Sequence, residues 1–359
     1  MIEPQIKFKF EKLLNNLGLN YSVLIEDVGL KIRDQITKNE KIRKNDQFDY
    51  GMYHPLNEIN RWMNQIQRDY PNLIQVFNVT QSYEGRSVKA LKISSNFQMK
   101  KPAIFFDAGI HAREWISPAT LIFMTKSLVS NYTVDPTVTQ LLDFFDFYIV
   151  PVFNVDGYQY TWTFDRLWRK TRSVNLNSFC IGVDANRNWD SHFCESGSST
   201  DPCSETYCGE KAFSEREVKG VADFLLQNKD TIVLYINFHS YSQLWMSPWA
   251  YTTEKPNNFE IQDRGSIEAI NALYNVFGTE YNHGNVASTI YVASGAAVDW
   301  AYEKANILFS YTVELRNQDK YGFLLPPDQI IPSGIETFEA VKALALYVKS
   351  QNGTFSRDI

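Results

Sequence analysis

The chain has 359 residues, 44% of them hydrophobic, and a formal net charge of −6. That length and apolar content suffice for a large core, most simply one big α/β domain with a small appendage. The negative balance excludes nucleic acid as the principal partner, and no apolar run is long enough to span a bilayer.

Residues 1 to about 44 differ in character from the rest of the chain. The alternation IKFKF predicts a strand, FEKLLNNLG a short helix ended by Gly18, NYSVLIED a second strand, and the charged run to Lys44 a helix. Together they read as a small βαβ-like piece, too short to fold well alone. The basic stretch KIRKND marks an exposed boundary open to a trypsin-like protease, although a solvated linker has the same composition. The start, MIEPQIKFKFEKLL, has no charged leader, long apolar centre or small-residue cleavage site, so the chain reads as an incomplete precursor.

From Phe48 onward helices and strands alternate. LNEINRWMNQIQR, residues 56–68, is amphipathic; LIQVFNV and SVKALKI follow as strands around the turn YEGR. The run AIFFDA from Ala103 predicts a strand buried on both faces, and ISPATLIFMTKSLVSNY a helix that tolerates Pro118 in its first turn. DFYIVPVFN, TIVLYINFH and ANILFSYTVELR are further strand-like runs. Such alternation predicts a mainly parallel, twisted sheet covered by helices, with its active site beyond the carboxyl ends of the strands.

Two of those strand ends carry histidine. After AIFFDA, Gly109 lets the backbone turn sharply, and His111 and Glu114 come next. An imidazole nitrogen and a carboxylate oxygen both suit zinc, and a catalytic site needs one more protein ligand plus an open position for water. Of the remaining histidines, His54, His192 and His283 stand in loop-like sequence, whereas His239 closes TIVLYINFH and is the candidate third ligand. An H-x-x-E pair alone is also compatible with an ordinary hydrogen-bonded surface pair.

WRKTRS, residues 168–173, and VDANRNWD, residues 183–190, read as two further strand ends, rich in arginine yet set among apolar and aromatic residues. A guanidinium grips a carboxylate through two parallel hydrogen bonds, so Arg187 beside Asn186 is a candidate carboxylate clamp, with a surface salt bridge as the plainer alternative. Glu314, near the end of the last strand-like run, is costly to bury unless paired or chemically employed. Cys180, Cys194, Cys203 and Cys208 share one Ser/Gly/Thr/Pro-rich region without a C-x-x-C pair, which predicts two disulfides and an oxidising, secretory compartment. Three sequons, at Asn78, Asn131 and Asn352, fit that compartment.

The segments SYEGR, DAGIHAREWISPA, PVFNVDGY, RLWRKTRS, GVDANRNWD, PCSETYCG, FHSYSQ, ASTIYVASG, TVELR and YGFLLP, ordered from about Phe48 to Val348, carry a resemblance to the zinc metallocarboxypeptidases of the pancreatic A/B type. The resemblance implies a catalytic domain over 45–359, preceded in 1–44 by part of an α+β activation segment. It makes His111, Glu114 and His239 the ligands of one zinc per chain, Glu314 the general base and Arg169 the stabiliser of the developing oxyanion. Arg113 matches a secondary substrate-binding position, Ser240 and Tyr241 match further substrate-binding positions, and Asn186, Arg187 and Tyr291 the grip on the substrate's terminal carboxylate. Met246, Ala250, Val286, Ala293, Ala296, Val298 and Thr312 match the pocket for the last side chain. The basic-specific branch has an acidic residue where this chain has Val298, so apolar termini are expected. Ala250 and Ala296 replace glycines of the large-pocket members, which implies a tilt towards aliphatic over aromatic termini. The implied disulfides are Cys180–Cys203 and Cys194–Cys208, one of three connectivities.

What the resemblance implies is therefore a secreted monomeric exopeptidase acting on peptide or protein C-termini, released by a trypsin-like cleavage after Arg43 or Lys44. Two alternatives stand beside it: a relative that binds peptide C-termini without hydrolysis, and a carboxypeptidase for basic residues.

Overall fold

The structure, a computed structural model, describes residues 2, 5–42, 48–176, 178–318 and 321–351. Two helices come first, α1 (Lys7–Asn16) and α2 (Val28–Ile42), and no strand forms among the described residues before β1. Both amino-terminal strand expectations are therefore corrected: KFKF lies within α1, and NYSVLIED is irregular. The alternation is only five residues long, and no neighbouring strand offers it a hydrogen-bonding edge; α1 buries none of its residues. The proposed cleavage positions Arg43 and Lys44 lie outside the described residues.

Helix α2 docks through two amides. Gln35 Nε2 donates to Leu325 O (2.8 Å) and its Oε1 accepts from Arg166 Nε (2.9 Å), while Asn39 makes a two-bond clamp with the backbone N–H and C=O of Tyr53. Arg166 itself stacks over Trp115 at 3.7 Å and donates to Arg113 O and Phe323 O, so among the described residues its hydrogen bonds go to neutral oxygens. Burial lowers its pKa to about 9.

The chain then builds an eight-stranded mixed sheet. After α3 (Leu56–Asp69), whose Leu56, Ile59, Trp62, Met63 and Ile66 form one buried stripe, come β1 (Ile74–Gln81), β2 (Ser87–Ile93), β3 (Ala103–Ala108), α4 (Ile116–Ser130), α5 (Pro136–Phe144), β4 (Asp146–Val150) and α6 (Val155–Thr163). The second half carries α7 (Arg216–Asn228), β5 (Ile232–Ser240), β6 (Leu244–Ser247), α8 (Phe259–Phe277), β7 (Asn282–Asn285), α9 (Val286–Thr289), α10 (Ala297–Glu303), β8 (Phe309–Leu315) and α11 (Ile330–Ser350). Strand order is β1-β2-β4-β3-β5-β8-β6-β7. The central strands β4, β3, β5 and β8 run parallel, as do β6 and β7, while the β1–β2, β2–β4 and β6–β8 pairings are antiparallel.

Every residue of β3 and β8 is buried, as their central parallel place in the sheet requires, including the polar Asp107, Ser310, Thr312 and Glu314. Helices α4, α8 and α11 cover one face, where the Tyr311 hydroxyl donates to Gln262 O of α8 (2.9 Å). On the other face Phe224 of α7 packs against Phe105 of β3, at 5.9 Å. The register lays side chains of that second face in rows. One row runs Asp107–Asn237–Thr312–Met246 across β3, β5, β8 and β6, and the next places His239 beside Glu314 and Leu244.

The arginine-rich segments 168–173 and 183–190 do not end strands. They are irregular, with a single short 3-10 turn at Ala185–Arg187, and are tied together by isolated backbone bonds (Thr171 N to Val183 O, 2.9 Å; Gly182 N to Ser173 O, 2.8 Å) and one bridge just beyond them, Val174 to Ile181. The cysteine region closes on two disulfides, Cys180–Cys203 and Cys194–Cys208, in the expected pairing. Closing loops of 23 and 14 residues, each contributes on the order of 3 kcal/mol in the chain-entropy account.

Candidate metal centre and active site

Strand β3 stops at Ala108, and Gly109 adopts φ +69°, a conformation that costs a side-chain-bearing residue dearly. The chain turns there and presents His111 and Glu114 towards the end of β5. His111 Nδ1 lies 2.8 Å from Glu114 Oε1, and His239 Nδ1 lies 3.1 Å from both His111 Nδ1 and Glu114 Oε2. All three residues are buried. Two imidazole nitrogens so close cannot both direct a proton at the other; a cation between them and the carboxylate satisfies all three lone pairs at once. Donor atoms of these residues lie within 4.8 Å of one another, and among the described residues they alone form such a group. Two histidines and one glutamate make a donor set suited to zinc with one position left open.

The far side of each imidazole is also occupied. His111 Nε2 meets Asp184 Oδ1 at 3.1 Å. His239 Nε2 meets Asn237 Oδ1, whose amide Nδ2 in turn donates to Asp107 Oδ1. Such outer partners fix which ring nitrogen faces a metal. Asp184, Asn237 and Asp107 do not stand out from the sequence as site residues. Two of them do leave a signal there, since Asp107 and Asn237 are lone polar residues within the apolar runs AIFFDA and YINF.

Asp184 also organises the arginines. Its Oδ2 accepts from Arg169 Nη2 (2.8 Å) and Nε (3.1 Å), and Arg187 Nη1 stands 3.9 Å away. Burial opposes its ionisation, but the charges of Arg169, His111 and Arg187 hold its carboxyl well below the usual range. Arg187 is fixed further by Gly197 O (3.0 Å) and Asn186 O (2.9 Å), with its guanidinium 5.7 Å from the ring of half-exposed Tyr291. Gly295 lets its loop pass close against the Arg187 backbone: a Cβ there would sit 2.3 Å from Arg187 O. Asn186 Oδ1 accepts from Ala297 N (2.9 Å).

Glu314 lies next to His239 in the sheet register. It is buried, and its Oε2 has no hydrogen-bond partner among the described residues. Burial pushes its pKa well above the usual value and the Glu114 charge adds to this, with His111 and Arg169 acting against. Glu314 is thus a buried carboxyl beside the His111–Glu114–His239 group whose surroundings favour its protonated form.

The six apolar positions expected to line the pocket do come together. Met246, Ala250, Val286, Ala293, Ala296 and Val298 form a buried cluster distinct from the main core, joined by Leu244 and flanked by Ile290, two positions not expected from the sequence. Thr312 is buried opposite Met246 across β6 and β8. The acid nearest Val298 in sequence, Asp299, is spent on backbone: it accepts from Ala250 N (2.8 and 2.9 Å) and Tyr251 N (3.0 Å). Arg113 and Tyr241 meet through Phe323, the guanidinium 4.4 Å over that ring and the phenol edge-on at 5.1 Å. Arg113 Nη1 donates to Glu205 Oε2 (2.8 Å) and Leu167 O (3.2 Å), and Ser240 N donates to Glu114 Oε2 (3.2 Å).

A mixed α/β sheet that delivers two histidines and a glutamate to one point, next to buried arginines and an unpartnered carboxylate, defines the class as a metal-dependent hydrolase. The profile of the zinc carboxypeptidases matches residues 59–340, and the chain belongs to that family. It is 46% identical to carboxypeptidase B of Astacus astacus, covering 84% of this chain and 98% of that protein, and 43% identical to carboxypeptidase A4 of Mus musculus, covering 94% and 81%. Among solved structures it superposes on the thrombin-activatable fibrinolysis inhibitor with a TM-score of 0.91 at 39% identity, over 97% of this chain and 87% of that one. The protein is thus a zinc-dependent exopeptidase that hydrolyses C-terminal peptide bonds, and the non-catalytic alternative is set aside.

Proposed function

We propose that the enzyme removes single apolar residues, aliphatic in preference to aromatic, from the C-termini of peptides. The observation that carries this reading is the buried cluster around Val298, in which every expected lining residue is apolar except Thr312 and the adjoining acid, Asp299, is engaged by the N–H groups of Ala250 and Tyr251. Burying an unpaired cation there costs several kcal/mol. Ala250 and Ala296 narrow the slot, which favours Leu-sized over Phe-sized side chains.

His111, Glu114 and His239 are assigned as the ligands of one zinc per chain. Zinc held there lowers the pKa of water and polarises the scissile carbonyl. Arg187, with Asn186 and Tyr291, holds the substrate's terminal carboxylate, so an internal peptide bond or an amidated end lacks the group that positions it. Arg169 directs N–H donors at the carbonyl oxygen as it gains negative charge. Glu314 takes the proton of the attacking water and passes it to the departing amine. Arg113, Ser240 and Tyr241 contact the residue upstream.

Residues 1–44 are read as part of an activation segment, cut by a trypsin-like protease after Arg43 or Lys44 to free the catalytic domain of residues 45–359. The two disulfides support secretion. No described helix is long and apolar enough to cross a membrane. The active form is taken to be a monomer.

The test is hydrolysis of matched peptides ending in Leu, Phe, Arg and Leu-amide, before and after trypsin and with a zinc chelator. Release of Leu above Phe, abolished by the chelator, with the Arg and amide peptides inert, is expected. Preferential release of Arg would overturn the apolar assignment, and Phe turned over well above Leu would overturn the aliphatic one.

A further inference from the structure

We propose that Asp107 and Asn237 are positioning residues that set the tautomer of His239 and thereby the affinity of the zinc site. The inference rests on the reading of His239 as a ligand. For His239 to offer Nδ1 to a metal, its proton must reside on Nε2. Asn237 stands two residues earlier on the same strand, so its side chain points to the same face, and its Oδ1 accepts from Nε2. An asparagine has two ends, however, and if its NH2 were turned towards Nε2 it would drive the proton to Nδ1 and close the ligand. Asp107 prevents that reversal. It is the direct neighbour of Asn237 across β3 and β5, fully buried, and its Oδ1 accepts from Asn237 Nδ2. The amide is thereby oriented from its far end. A competing donor is present, since Asn186 Nδ2 lies 3.4 Å from His239 Nε2, at the long limit of a hydrogen bond, so the orientation of Asn237 decides the outcome.

His111 reaches the same end by a different route, a carboxylate placed directly on Nε2. The His239 side inserts an amide between imidazole and carboxylate. That difference supplies the test: in Asn237→Asp with Asp107→Asn the two residue types are exchanged, so that a carboxylate would touch His239 and an amide would donate to it from behind.

Zinc affinity is measured by chelator competition on the full chain, together with the visible spectrum of the cobalt-substituted protein and the Tm of each metal-free variant. His239→Ala serves as the reference: if it leaves zinc affinity intact, the ligand assignment itself has failed, independently of the relay. With that loss established, Asn237→Ala is expected to weaken zinc binding about 10–100-fold and alter the cobalt spectrum. Asp107→Asn, which conserves volume and so retains the fold, is expected to weaken it by a smaller factor, and the double exchange to recover affinity to within about threefold of the parent. Zinc affinity within about twofold of the parent in both single variants, whatever happens to Tm, would overturn the proposal, as would a double exchange no better than Asn237→Asp alone.

Discussion

Asp184 accepts His111 Nε2 on one carboxylate oxygen at 3.1 Å while its other oxygen holds Arg169 at 2.8 Å. One side chain thus orients a proposed metal ligand and the proposed oxyanion donor together. Asp184→Asn keeps the shape but removes the charge that fixes both. We expect kcat/KM for a Leu-terminated peptide to fall about 10²–10³-fold, the size of losing one well-placed oxyanion donor, with most of the loss in kcat. Steady-state kinetics check this; a change confined to KM would contradict the shared role.

Arg187 is buried and pinned by two carbonyls, so little ordering is left to do when substrate arrives. Arg187→Ala should lower kcat/KM for free-carboxylate peptides by about 2–4 kcal/mol, a factor of roughly 30–1,000. The same variant should treat the peptide amide almost as the parent does. The ratio of acid to amide hydrolysis, measured side by side, reports whether this residue makes the enzyme an exopeptidase.

Val298→Asp inserts a carboxylate into the apolar cluster it shares with Met246 and Ala250. An unpaired buried charge costs about 3–5 kcal/mol, so turnover of the Leu peptide should drop at least tenfold. A C-terminal lysine or arginine would neutralise that charge, and cleavage of the Arg peptide should rise correspondingly. Competition between Leu and Arg peptides in one reaction measures the switch directly.

Asp299 predicts a pH dependence of stability. Burial pushes its carboxyl up to about 7, with the Glu303 charge adding, while the N–H groups of Ala250 and Tyr251 act the other way. Between about pH 4 and pH 7 the native state keeps this proton while the unfolded chain, at an ordinary aspartate pKa near 4, has released it. Protons are then bound more by the native state, so this group's contribution to stability falls as pH rises and is fully lost above about 7. Asp299→Asn removes the effect. The stability difference between parent and variant, from denaturant unfolding at pH 5 and pH 8, should move in the variant's favour by on the order of a few kcal/mol.

The parts of this fold that are legible in the sequence are those where one local rule suffices. AIFFDA and most of TIVLYINFH are buried on both faces and say so by composition, whereas SYTVEL is equally buried despite Ser310, Thr312 and Glu314; Gly109 announces the turn that presents His111. IKFKF misleads because a period of two over five residues does not distinguish a paired strand from a helix with no buried face. WRKTRS and VDANRNWD read as strand ends, whereas a few isolated backbone bonds between them and the Asp184 carboxylate hold them without a regular strand, a job invisible until the partners are in place. The same holds for Asp107 and Asn237: each is visible as a polar residue in an apolar strand, but only the register of β3 on β5 puts one behind the other. The apolar pocket positions and the roles of Arg113 and Arg169 come from family resemblance, and no periodicity in the chain would supply them; Arg187 alone shows from its own residue chemistry, as a candidate carboxylate clamp.

Helix α2 is anchored on the rest of the molecule by Gln35 and Asn39, both uncharged amides, and the one cation they engage, Arg166, is buried beneath them. Debye screening acts on exposed charges and hardly on such bonds. These two anchors should therefore be indifferent to ionic strength, whereas the exposed Lys31 of the same helix, 5.8 Å over the Tyr321 ring, adds an attraction that salt weakens.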